Sequence, residues 1–123
     1  MGLDTYWTPN GSPPGTENPI VLEYDPPLFP DAYVFDDGWF RAQEYVDLLF
    51  AVTETSLYVP TIPNNQIREM AAELDGTPYE ETARHRAFAP TNSGPTLTRR
   101  EYEDLRRMFR AYADAGAQLE ASF

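Results

Sequence analysis

Residues 98–116 read Thr-Arg-Arg-Glu-Tyr-Glu-Asp-Leu-Arg-Arg-Met-Phe-Arg-Ala-Tyr-Ala-Asp-Ala-Gly. Thr98 and Glu101 have the spacing of a capping box, in which two side chains satisfy backbone N–H groups at a helix start. Tyr102, Leu105, Met108, Phe109 and Tyr112 then recur every three or four residues, one apolar stripe of an amphipathic helix. Gly116 is a natural stop. The spacing predicts a helix from Arg99 to about Ala115. Such a stripe must be buried against other elements, which the rest of the chain has to supply.

Working upstream, residues 89–96 read as a loop. Thr77-Pro78-Tyr79-Glu80 is a second helix start, with Thr as cap, Pro in the first turn and Glu80 closing a capping box. That short helix is expected to end near Phe88. Another is expected from about Pro63 to Leu74, with Ile67, Met70, Ala71 and Leu74 inward and Asp75-Gly76 as its end. Ser56 to Pro60 reads as extended. A first helix is expected from about Trp39 to Thr53, capped by Asp36 or Asp37. Its apolar residues Tyr45, Val46, Leu48, Leu49, Phe50, Ala51 and Val52 cover most of its sides, so it is expected to be buried and central.

Residues 1–36 contain seven prolines, which remove backbone donors and forbid regular helix. Two extended pieces are expected there, Leu3 to Thr8 and Ile20 to Tyr24, with Asn10-Gly11 as a turn between them. Ala117 to Phe123 reads as a short extended tail. The expected fold is α+β and mainly α, with three or four helices and a few short strands near the termini. One domain is expected over 1–123, with 1–36 a proline-rich wrapping segment and 37–123 a helical core.

The chain has 123 residues, no cysteine, one histidine and a formal charge of -11. All nine basic side chains are arginine; there is no lysine. Residues 1–60 hold ten acids and Arg41 alone as a base, a net of -9; residues 61–123 hold ten acids and eight arginines, a net of -2. Missing cysteines exclude disulfides, thiol catalysis and thiolate metal sites. The charge argues against direct binding to nucleic acid or anionic membrane. No stretch is long and apolar enough to span a bilayer. A cytoplasmic location is expected, or a virion if the protein is phage-encoded.

Few residues invite chemistry. His85 stands alone between Arg84 and Arg86, with Glu81 available to orient it. No serine lies in a nucleophile-elbow pattern and no glycine-rich phosphate loop is present. Glu23, Asp25, Asp31, Asp36 and Asp37 could offer oxygens to a hard cation, but their spacing fits no EF-hand. No cofactor and no metal site are expected. On the C-terminal helix, Arg99 to Glu103, Arg100 to Asp104 and Glu103 to Arg107 can form i,i+4 pairs.

Several blocks occur together: Met1-Gly2-Leu3-Asp4-Thr5-Tyr6, Asp37-Gly38-Trp39-Phe40-Arg41, Thr53-Glu54-Thr55-Ser56-Leu57-Tyr58, Ile62-Pro63 and Leu105-x-x-Met108-Phe109-Arg110. The chain resembles a group of small bacterial and phage proteins that begin Met-Gly-Leu-Asp-Thr-Tyr and have no assigned activity. It departs from their pattern at Ala42, Glu54 and Asn64. The resemblance implies a mobile-element or prophage association and supplies no catalytic residues.

The leading expectation is a non-enzymatic interaction or assembly protein whose partner is another protein or a second copy. Its aromatic excess supports this, since Trp7, Trp39, Tyr33, Tyr58, Tyr79 and Phe123 cannot all belong to one central core. Candidate interaction residues are Trp39, Arg41, Tyr58, Arg106 and Arg110. Two alternatives stay open: a small enzyme using carboxylates with a divalent cation, and an acidic nucleic-acid mimic that inhibits a DNA- or RNA-binding partner.

Overall fold

A computed structural model describes residues 4–13, 19–22, 35–36, 38–41, 45–81 and 98–122. The fold is α+β and mainly α, with short antiparallel strands. The elements are β1 (Asp4–Pro9), β2 (Phe35–Asp36), β3 (Trp39–Arg41), α1 (Val46–Thr53), β4 (Thr61–Ile62), α2 (Asn64–Asp75), α3 (Arg99–Asp114) and β5 (Ala117–Ser122). The strands form one five-stranded sheet in the order β2-β3-β1-β5-β4. Its two longest strands lie near the two ends of the chain and pair with each other, Asp4 opposite Ser122 and Pro9 opposite Ala117.

Alternation along the strands gives the sheet two faces. Thr5, Trp7, Phe40, Ile62, Ala117 and Leu119 fall in register on one of them. This face meets α3. The Trp7 indole stacks on Tyr112 at 4.6 Å between ring centroids and 3° between planes, and meets Phe109 edge-on at 5.2 Å. Phe40 meets Phe109 at 6.4 Å and Tyr45 at 5.9 Å. Trp7 is thus part of the core, and Tyr6, on the other face of the sheet, is buried as well.

The expected α3 forms as its sequence reads. Thr98 accepts from the Glu101 N–H, Glu101 accepts from the Thr98 N–H, and Tyr102, Leu105, Met108, Phe109 and Tyr112 are all fully buried. Gly116 follows at φ +73, the left-handed conformation that glycine adopts without a Cβ penalty. The Asn64 side chain, at the start of α2, donates to the carbonyls of Ala113 and Ala117 and so satisfies the end of α3. In α2 the inward set is Ile67, Met70, Ala71 and Leu74, as expected.

The first helix differs from expectation. It starts at Val46, with no side-chain cap from Tyr45, and the residues expected to open it form β3 instead. Asp36 pairs with Trp39, so the chain turns back between β2 and β3. Asp-Gly favours such a hairpin turn, and here that signal prevails over a helix cap. Gly38 has φ +86, and a Cβ there would lie 2.7 Å from Pro19 Cβ and 2.8 Å from the Ile20 oxygen. Nor is α1 buried all round: Asp47 and Phe50 are exposed. The fully enclosed helix face belongs to α3.

Ser56 to Pro60 forms no strand. The Ser56 hydroxyl accepts from the Tyr58 N–H, a local turn, and the strand follows at Thr61–Ile62. Thr77 does not close the expected box with Glu80: its hydroxyl donates back to the Glu73 carbonyl, and Glu80 pairs with Arg99. Most of the helix expected from Thr77 to Phe88 lies outside the described residues, as do Glu23 and Tyr24 of the extended piece at 20–24. Ile20 and Leu22 are in no strand, although the Ile20 N–H donates to the Trp7 carbonyl.

Glu54, at the end of α1, has φ 59, the one non-glycine residue at positive φ among the described residues. A Cβ in that conformation meets its own backbone. Replacing Glu54 by glycine is therefore expected to stabilise the protein by roughly 0.5–1 kcal/mol, the relief of that contact less the extra entropy of an unfolded glycine. A higher urea midpoint for Glu54→Gly than for Glu54→Ala is the measurement that checks it.

Candidate functional site

The richest polar constellation lies where α2 meets α3. Asp75, the last residue of α2, receives two arginines from α3. The Arg106 Nε lies 3.6 Å from Asp75 Oδ1, and Arg106 also donates to the Asp75 carbonyl at 3.2 Å. Its other nitrogen grips both Glu103 oxygens at 3.0 and 3.1 Å. The guanidinium carbon lies 5.8 Å from the centre of the Tyr102 ring, a cation–π distance. Arg110 pairs with the same Asp75 carboxylate. Beside them Arg68, Ala71, Ala72, Ala113 and Asp114 complete a shallow groove of about 330 Å³.

Chemically this is a clamp. The arrangement ties the end of α2 to the middle of α3. One turn away Asp104 is buried, held by Arg100 at 3.1 Å and Arg107 at 3.0 Å. At the start of α3 the exposed Arg99 pairs with Glu80 and lies 4.9 Å over the Tyr79 ring. That hydrogen bond holds the Glu80 carboxyl below its ordinary range and raises the guanidinium of Arg99. Of the three expected i,i+4 pairs, Arg100–Asp104 forms; Arg99 goes to Glu80, and Arg107 to Asp104.

The five sequence-predicted interaction residues fall in three places. Arg106 and Arg110 share Asp75. Trp39 and Arg41 are two residues apart on β3, on the sheet face turned away from α3, where Trp39 leans on Tyr6 at 4.8 Å. Arg41 is exposed opposite Asp4 and forms no ion pair among the described residues. Tyr58 stands in the connector after α1, 50% exposed. Trp7, expected among the surplus aromatics, is fully buried, and Tyr79 is half-buried against Tyr102. Tyr33 and Phe123 lie outside the described residues.

Sequence reasoning missed a buried polar chain on the same outer face of the sheet. Glu120 and Gln118 are only 4% and 3% exposed. Glu120 accepts from the Thr61 hydroxyl at 2.9 Å and from the Gln118 amide at 2.8 Å. Gln118 also accepts from the Gly11 N–H and donates to the Ser12 carbonyl. The only local signal was alternation in Ala117-Gln118-Leu119-Glu120-Ala121, which places both polar residues on one side.

Among the described residues no three His, Cys, Asp or Glu side chains are placed to hold a metal ion. His85, Ser93, Glu23, Asp25, Asp31 and Asp37 lie outside those residues. No described helix is long and apolar enough to cross a membrane.

Two buried phenols make the fold sensitive to alkali. Tyr102 donates its hydroxyl toward the carbonyls of Thr77 at 2.7 Å and Leu74 at 3.3 Å, and Tyr112 donates to Ile20 at 2.7 Å. Burial pushes both up to about 12 from the ordinary 10.0. Above pH 10 the unfolded chain releases protons that the folded protein still holds, so stability is full below pH 10 and falls as pH rises toward 12. The loss is expected to be roughly 2–3 kcal/mol for each phenol. Urea unfolding at pH 9 and pH 11.5 measures it, and Tyr112→Phe should flatten the slope.

Comparison with protein-family models, with curated proteins and with solved structures finds no match to this chain.

Proposed function

We propose that this protein acts by binding another protein, as an acidic, non-enzymatic interaction or assembly component of the kind that phages and mobile elements encode. The observation that supports this most is where the aromatic surface goes. Tyr6, Trp7, Phe40, Tyr102, Phe109 and Tyr112 are at most 4% exposed, whereas Phe50 is 55% and Tyr58 50% exposed. The core is supplied with aromatics, and further ones are left facing water. Large apolar groups at a surface rimmed by charge are characteristic of protein contact sites. Arg106 and Arg110 both pair with Asp75, and the Arg110 side chain stays exposed while it does so, which leaves it available for contact.

The test uses the full chain, tagged and expressed in its native host. Affinity capture is compared with an equally acidic control protein, and light scattering gives the oligomeric state. The expected result is one protein retained in fixed proportion, or a defined oligomer of the chain itself. A monomer that retains nothing beyond the control's background sinks the proposal.

A further inference from the structure

Three exposed residues share one side of α1; Asp47, in the first turn, suits the helix dipole, whereas Phe50 and Glu54 each make a locally unfavourable choice. Asp47, Phe50 and Glu54 are spaced i, i+3 and i+7, which puts them on one side of the helix, and all three are exposed. Phe50 lies in a helix whose Val46, Leu48, Leu49 and Val52 are buried. Glu54 sits at the C-terminal end, where the helix dipole is already negative and a cation is favoured. No basic residue occupies that last turn, and neither Asp47 nor Glu54 forms an ion pair among the described residues. Glu54 also holds a left-handed backbone that glycine would adopt more readily.

We infer that this side of α1 is the docking surface for a basic protein segment, one that offers an apolar pocket to Phe50 and arginine or lysine side chains to Asp47 and Glu54. Such a partner removes the unfavourable terms together. It takes Phe50 out of water, and it brings to the end of α1 the positive charge that the helix lacks. The charge of -11 acts in the same direction. It attracts a cationic segment over long range and repels a second copy of this chain. The inference rests on the interaction reading above and names the chemistry of the partner.

The probe is a synthetic helix-forming peptide of leucine and arginine, titrated into the full chain by calorimetry at low and high salt. Comparison peptides carry leucine with glutamate, or arginine with serine, in the same pattern. The leucine–arginine peptide is expected to bind, more weakly at high salt. The leucine–glutamate peptide should not bind, and the arginine–serine peptide should bind about tenfold more weakly. Phe50→Ser is expected to weaken the leucine–arginine peptide by about tenfold. Glu54→Gln should weaken it several-fold and reduce its salt dependence. Val21→Ser, at another exposed apolar position, should leave binding unchanged. Melting curves of each variant establish that it is folded.

Wild-type affinity in folded Phe50→Ser and Glu54→Gln overturns the assignment, as does equal binding of the glutamate peptide. Capture from the native host separates the two levels of the argument. If the Phe50→Ser, Glu54→Gln double variant retains the same partner as wild type, this surface is wrong and the interaction reading stands. If wild type retains nothing and is monomeric, both fall.

Discussion

Replacing Trp7 by alanine is expected to cost about 3–5 kcal/mol, the range for removing a large aromatic from a close-packed core. Domains of this size have roughly 5–15 kcal/mol in total, so Trp7→Ala should give up a large share of the stability and unfold at a much lower urea concentration than wild type. Trp7 is fully buried and is the hinge of the core: its ring lies flat on Tyr112 and edge-on to Phe109, while its backbone sits in the middle of the sheet. The indole N–H has no hydrogen-bond partner among the described residues. Trp7→Phe therefore gives up packing but no hydrogen bond, and should cost markedly less than alanine. Equilibrium urea unfolding followed by far-UV circular dichroism makes the comparison, since the substitution removes one of the two tryptophans that fluorescence would follow. Equal losses for phenylalanine and alanine would show that the ring stack is not what Trp7 contributes.

Ending the chain after Gly116 should have a still larger effect. It removes β5, which pairs with β1 over six residues and carries β4 on its other side. It also removes Ala117 and Leu119 from the core and Gln118 and Glu120 from the buried polar chain. What stays is β1 with an open edge and a helical layer missing part of its floor. Exposed edges and apolar faces of that kind lead to aggregation. The shortened protein is expected to lose its cooperative thermal transition and to bind a hydrophobic dye, whereas a chain ending after Ser122 keeps the transition. A sharp melt in the shorter chain would mean that α2 and α3 fold without the sheet.

The helices α2 and α3 were legible because their signals are local. Thr98, Glu101 and the stripe from Tyr102 to Tyr112 are all neighbours in sequence, and a period of 3.6 declares which side is buried. Trp39 and Phe40 misled because an apolar pair just ahead of a helix looks like its first turn. Their conformation is decided by Thr5 and Tyr6, some thirty-five residues away, and no local pattern carries that pairing. The same holds for β5, whose extended form was readable but whose position between β1 and β4 was not. In the charged seam, spacing predicted pairs within α3, while the structure spends Arg106 and Arg110 on Asp75 from another helix. Exposure of Phe50 was hidden for the opposite reason: in a run as apolar as Val46 to Val52, periodicity does not mark the side that stays in water.

The pairing of β1 with β5 also sets an order of events in the cell. Asp4–Pro9 is made more than a hundred residues before its longest partner strand. At roughly 5–20 residues per second, the nascent chain spends on the order of ten seconds with Trp7 lacking the rings of α3 and the strand that flank it in the finished protein. The first strand is held open until residues 117–122 have been made, so a chain stalled or released before them presents a tryptophan-bearing edge to whatever chaperone or protease stands at the exit tunnel.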